Sequence, residues 1–178
     1  ADSSIEINSV SAQIESFFTS VRNGTHPRHY NSHPASLTYI TPSSPVQNIT
    51  SSDYSQWIEG NLAEKSLFLI TSFGDFYQTD YLIQNILSFV EEYRECIDVR
   101  KLNTKFNDVE GIEEGEGIFL YIWKKGSDQR KGYSAKIRGV DKADNFIEIV
   151  KQYVPEVRKS EDAKAGLKSE VSEEDEDV

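Results

Sequence analysis

The chain has one cysteine, Cys96, among its 178 residues. A single thiol cannot make an internal disulfide, a thiolate zinc cage or a two-cysteine redox centre, so three classes of chemistry are excluded. Basic residues are scarce as well: 19 Lys and Arg stand against 30 Asp and Glu, giving a net charge of -11 and a pI near 4.7. Phosphate backbones and anionic lipid surfaces would be repelled, which makes nucleic acid and membranes poor partners. No apolar run approaches the length of a membrane span, and no hydrophobic signal segment opens the chain, so a soluble protein is expected. Ala1 fits two histories, a cytosolic chain that lost its initiator methionine and a secreted chain cut by a signal peptidase. Composition does not choose between them.

Hydrophobic residues make up 37% of the chain and aromatics 11%, enough for a sizeable core and too much for wholesale disorder. The length suits one domain of about 100 to 150 residues with tails. Ile7, Val10, Ile14, Phe17 and Val21 recur at helical steps, predicting an amphipathic helix from Ser9 to about Val21. Residues 23 to 36 hold Pro27, Pro34 and all three histidines and read as an irregular connector, and the prolines of Thr41-Pro42-Ser43-Ser44-Pro45 mark a boundary. The division expected is an N-terminal extension over 1–43, a main domain over 44–155 and an acidic tail over 156–178.

Within the main domain the pattern predicts a strand Val46 to Ile49, a helix started by Thr50-Ser51-Ser52-Asp53 and running through Tyr54, Trp57 and Ile58, and a strand Leu67 to Ile70. The last is a continuous apolar run, so its sheet should carry helices on both faces. A broad stripe from Leu82 to Tyr93 predicts a helix from about Thr79 to Arg94, followed by a strand Ile97 to Leu102. A polar, Gly-rich loop over 103–117 leads to the strand Ile118 to Trp123, a turn from Lys124 to Lys131 and an antiparallel partner, Tyr133 to Ile137. A helix from Asp141 to Tyr153 should close the domain at Pro155. The tail beyond it holds nine acids and four bases with almost no large apolar residue, predicting a solvated, mobile segment.

The order β-α-β-α-β-β-α resembles that of thioredoxin. The residues agree with the protein-disulfide-isomerase type of that family: Val46, Ile49-Thr50, Tyr54 and Trp57 at the opening, Leu67 to Ile70 with Ser72-Phe73-Gly74-Asp75-Phe76, and then Glu92-Tyr93 with Val99 to Asn103. Gly111-Ile112, Ile118 to Gly126, Ile137-Arg138-Gly139 and Asn145-Phe146-Ile147 are similar to the closing hairpin and helix. The resemblance covers about residues 44 to 154 and implies an α/β, three-layer fold with a central mixed sheet. Two departures bear on function. The window where the family carries its two cysteines, at the start of the long helix, reads Phe76-Tyr77-Gln78-Thr79-Asp80, and the place of its cis-proline falls near Glu116. Dithiol exchange is therefore excluded by residue type, and the loop at Glu116 should be trans and reshaped.

The remaining candidates favour bland readings. Cys96 should be a small buried hydrophobe rather than a reactive thiol. His26, His29 and His33 have helical spacing, but Pro27 and Pro34 argue against that helix, so no metal and no cofactor are expected. The glycines of Gly111 to Gly117 precede a strand and sit among acids, unlike a phosphate loop. Asp75 and Asp80 could form an acid–base pair, although carboxylates at loops and helix starts are commonly just solvated. The sequons Asn23-Gly24-Thr25 and Asn48-Ile49-Thr50 are glycan acceptors in a secreted chain, and with the family resemblance they point to the endoplasmic reticulum lumen or secretory pathway. The expectation is a redox-inactive protein-binding module, an adaptor, chaperone-like factor or complex subunit, that meets its partner through Phe73, Phe76, Tyr77, Tyr81 and Glu116. The alternatives are a cytosolic adaptor similar to phosducin-like proteins and a single-cysteine or carboxylate-based enzyme.

Overall fold

The computed structural model describes residues 18–19, 43–74, 77–128 and 131–174, the last ten by backbone alone. The elements are β1 (Val46–Asn48), α1 (Ser51–Asn61), β2 (Ser66–Ser72), α2 (Tyr77–Glu92), β3 (Ile97–Asn103), β4 (Ile118–Trp123), β5 (Ala135–Arg138), α3 (Ala143–Tyr153) and α4 (Pro155–Glu174). The predicted helix Ser9 to Val21 lies outside the described residues except for Phe18 and Thr19, which are helical. The three histidines and Asn23 lie outside them too.

The strands form one mixed sheet in the order β1-β3-β2-β4-β5. β1 and β2 both run parallel to β3, while β4 is antiparallel to β2 and β5 to β4. Strand geometry sends alternate side chains to opposite faces, and every residue of β2 is buried. Phe68 and Ile70 enter the core under α2 and α3, while Leu67 and Leu69 enter the core under α1. This two-sided coverage is what the continuous apolar run required. β4 divides more sharply: Ile118, Leu120 and Ile122 join the first core, and Phe119, Tyr121 and Trp123 join the second.

The apolar stripe of α2 packs as its periodicity predicts, with Leu82, Ile83, Ile86 and Val90 buried. The start of α1 differs in detail. Thr50 makes no side-chain cap; its hydroxyl donates to Asp53 Oδ2 at 2.7 Å. The Ser51 N–H is taken instead by Asn107 Oδ1 at 3.2 Å, so a residue of the β3–β4 loop caps this helix.

The tail corrects the expectation. α3 ends where predicted, but Pro155 starts a second helix rather than marking the end of the domain. A proline restricts the residue before it to extended backbone and is itself suited to a first helical turn, and Val154 is extended at φ -124°, ψ 94°. Val157 then packs fully buried beside Val154 in the first core. Farther along, the Tyr93 hydroxyl donates to Glu161 Oε1 at 2.6 Å, and Lys164 donates to the same carboxylate at 2.9 Å while pairing with Glu92. The segment expected as a disordered tail is thus helical to Glu174 and is held to the body of the domain from Val157 to Lys164; residues 175–178 lie outside the described ones.

Candidate partner-binding site

The carboxyl ends of parallel strands β2 and β3 carry two loops that are tied together. Ser72 C=O accepts the Thr104 N–H at 2.9 Å, and Asn103 Oδ1 accepts both the Gly74 N–H at 3.0 Å and the Lys105 N–H at 3.1 Å. Gly74 has φ +86°, a left-handed conformation that other residues adopt only with strain. The turn therefore needs its glycine, and Asn103 holds it. In open α/β sheets this end of the parallel strands is where ligands are commonly met.

On this support stands a row of aromatics. Phe73 is 38% exposed, Tyr77 80% and Tyr81 53%. Tyr77 and Tyr81 lie one turn apart at the start of α2 and stack with centroids 6.3 Å apart. Phe106, 38% exposed, belongs to the partner loop, with the Lys105 ammonium 5.3 Å above its ring. In the sequence, the one signal for Phe106 is a lone Phe in a polar loop. Phe76 and Asp75 lie outside the described residues. Glu116 is exposed, and since Ile118 pairs with Ser72 across the sheet, it sits at the same end of the molecule as Phe73.

Under the row, Asp80 is held. Lys101 of β3 is only 7% exposed and its ammonium lies 2.7 Å from Asp80 Oδ1. A carboxylate locked against a buried ammonium is a structural pair, which weakens the reading of Asp80 as a general acid or base. The first turn of α2 reads Tyr77-Gln78-Thr79-Asp80 and holds no thiol. Cys96 is at the opposite end of the sheet, immediately before β3, whose seven residues span roughly 20 Å at about 3.3 Å per residue. Its thiol donates to the Tyr93 carbonyl at 3.3 Å, and burial, reinforced by the nearby Glu156, pushes its pKa up. Half-buried and protonated, it packs against the first core.

Asn48 is the last residue of β1, in register with Lys101. Its Nδ2, the atom that would carry a glycan, is enclosed and has no hydrogen-bond partner.

The strand order and connectivity are those of a thioredoxin-like α/β fold. No family model matches the chain, and no curated protein matches it. Among solved structures it is similar to chloroplastic thioredoxin z, at 18% identity over 61% of this chain and 93% of that one with a TM-score of 0.48. It is similar also to Chlamydomonas reinhardtii thioredoxin f2, at 14% identity over 61% of this chain and 95% of that one, again with a TM-score of 0.48.

Proposed function

We propose that the chain is a redox-inactive thioredoxin-like module that binds a protein partner through the aromatic row at the start of α2, serving as an adaptor, chaperone-like factor or complex subunit. The observation that carries the reading is the chemistry at that helix start: exposed, stacked Tyr77 and Tyr81 in the first turns of α2, with Asp80 bound to Lys101 and no thiol. Aromatic side chains offer large contact area at low conformational cost and dominate many interfaces. The resemblance to protein-disulfide-isomerase-type domains belongs to the same proposal.

The enclosed amide of Asn48 favours a second placement. With the Asn48 amide turned inward, the secretory assignment leans on Asn23 and the family resemblance, and a cytosolic adaptor similar to phosducin-like proteins competes with it. A mass shift on glycosidase treatment of the chain from its source cell would select the secretory reading.

The site is tested with a partner recovered by the full-length chain and then purified. Tyr77→Ala and Tyr81→Ala should each weaken its binding by about 1 kcal/mol or more, roughly fivefold, while the melting temperature stays unchanged. Normal binding by both variants would remove the aromatic row from the interface.

A further inference from the structure

The two faces of the sheet are covered unequally. α2, α3 and Val157 of α4 close the first core, whereas among the described residues α1 is the helix packed on the other face, together with part of the β3–β4 loop. A sheet whose strands are apolar on both sides needs cover on both. Beside α1 that cover has a gap, a cavity of about 250 Å³ between α1, the β3–β4 loop and the segment before β5. Tyr54, Ile58, Ile112, Trp123 and Tyr133 line it, and Ile112 and Tyr133 are only half-buried.

The lining asks for apolar volume and not for charge. Glu59 and Glu110, which also border the cavity, each already have a partner. At about 250 Å³ the space falls short of the roughly 300–1,000 Å³ of small-molecule pockets and suits side chains delivered by a neighbouring element.

The sequence supplies such an element. The apolar residues of α1, α2 and α3 are spent on the two cores. The remaining helical stripe is Ile7, Val10, Ile14, Phe17 and Val21, in a segment that lies outside the described residues apart from Phe18 and Thr19. From Ser9 to Val21 it carries a single charge, Glu15, so the acidic body repels it little. Its tether is long enough: residues 22–42 reach up to about 70 Å when extended, against about 19 Å across the sheet from β1 to β5. Tethering also holds the stripe near the cavity at an effective concentration on the order of millimolar.

We propose that this cavity is the seat of the chain's own N-terminal segment, Ser9 to Val21, whose stripe lies against Ile112 and Tyr133 and sends Ile14 and Phe17 inward. The segment gives this layer the second apolar element that the opposite layer has in α3. Because α2 belongs to that opposite layer, docking leaves Tyr77 and Tyr81 open to a partner.

The test uses the full-length chain labelled with 15N and carrying a nitroxide on Thr19→Cys in a Cys96→Ser background. At 100° per residue Thr19 falls on the side of the segment away from the stripe, so the label does not occupy the contact. It should broaden the Ile112 and Tyr133 amide signals and the Trp123 indole, and leave Ile86 and Val150, buried in the first core, sharp. Ile112→Asp should abolish the broadening, as should Ile14→Asp with Phe17→Asp. Without a label and with Cys96 in place, the Ile14 and Phe17 double variant should shift the Trp123 and Tyr133 signals and leave Ile86 and Val150 unmoved, which keeps the idea testable if the label or the cysteine replacement disturbs the fold. No broadening at the cavity together with no shift in the double variant would overturn the proposal, as would broadening that persists in Ile112→Asp or that centres on Ile86 and Val150. Broadening of an unspin-labelled 15N chain by a spin-labelled 14N chain would assign the cavity to a second copy and overturn it too.

Discussion

Val157→Ala probes the docking of α4 on the body of the domain. Val157 is fully buried in the first core, and the substitution deletes two methyl groups without touching the helix backbone. At about 0.8 kcal/mol per buried methylene-sized group, plus a penalty for the space left behind, the loss comes to about 1.5–2.5 kcal/mol. For a protein of this size each kcal/mol lowers the melting temperature by about 2–4 °C, so a drop of roughly 4–8 °C is expected in a thermal scan. Arg158→Ala is the control. Its side chain is 71% exposed and its ion pair with Asp162 spans 3.8 Å, so its loss should stay within about 0.5 kcal/mol. Truncation after Val154 should exceed the single substitution, because it also removes the Glu161 and Lys164 contacts of Tyr93. If Val157→Ala melts within about one degree of the parent, a value ordinary for a solvated site, α4 is not docked and the tail is the free segment that its composition predicts.

Three further outcomes follow from particular contacts. Hydrogen bonds from Tyr93 and Lys164 hold the Glu161 carboxyl below its usual pKa, so its stabilising effect is present above the ordinary glutamate value of about 4.3 and is lost as pH falls through the lowered one. The melting difference between parent and Glu161→Gln should therefore be seen near neutrality and vanish in acid; a difference that grows in acid would contradict the contact. Asp80→Ala strands a buried ammonium and should cost about 1–3 kcal/mol in urea unfolding, less than a fully buried pair because the Asp80 side chain is 37% exposed, and recovery by Asp80→Glu would point to the charge. Cys96, with its pKa raised by burial and by Glu156, should react with iodoacetamide at pH 7 more slowly than free cysteine, and Glu156→Gln should speed it modestly.

How far the sequence carried the reading differs by element. β2 and β4 were legible because a run buried on both faces leaves an unbroken apolar stretch, and α2 because its stripe repeats at helical spacing. α4 was not, since its first turns offer one large apolar residue, Val157, and its other anchors, Glu161 and Lys164, are charged residues that composition reads as solvated. Phe73, Tyr77 and Tyr81, expected around the window where the resembled family carries its thiols, are exposed, while Phe76 lies outside the described residues. Phe106 and the Asp80–Lys101 pair were missed because they are brought to the site by β3 and its following loop, a pairing of parallel strands that no local pattern announces.

The central claim is a thioredoxin-like scaffold used for contact rather than for electron transfer. An insulin-reduction assay with dithiothreitol as the electron source tests it most directly, because exchange needs an attacking and a resolving thiolate in one cleft. Cys96 is the chain's one thiol, and it sits at the far end of the sheet from the aromatic row. The rate with the full-length chain should equal that of dithiothreitol alone and be unchanged in Cys96→Ser. A rate approaching that of a two-cysteine thioredoxin, abolished by Cys96→Ser, would contradict the claim.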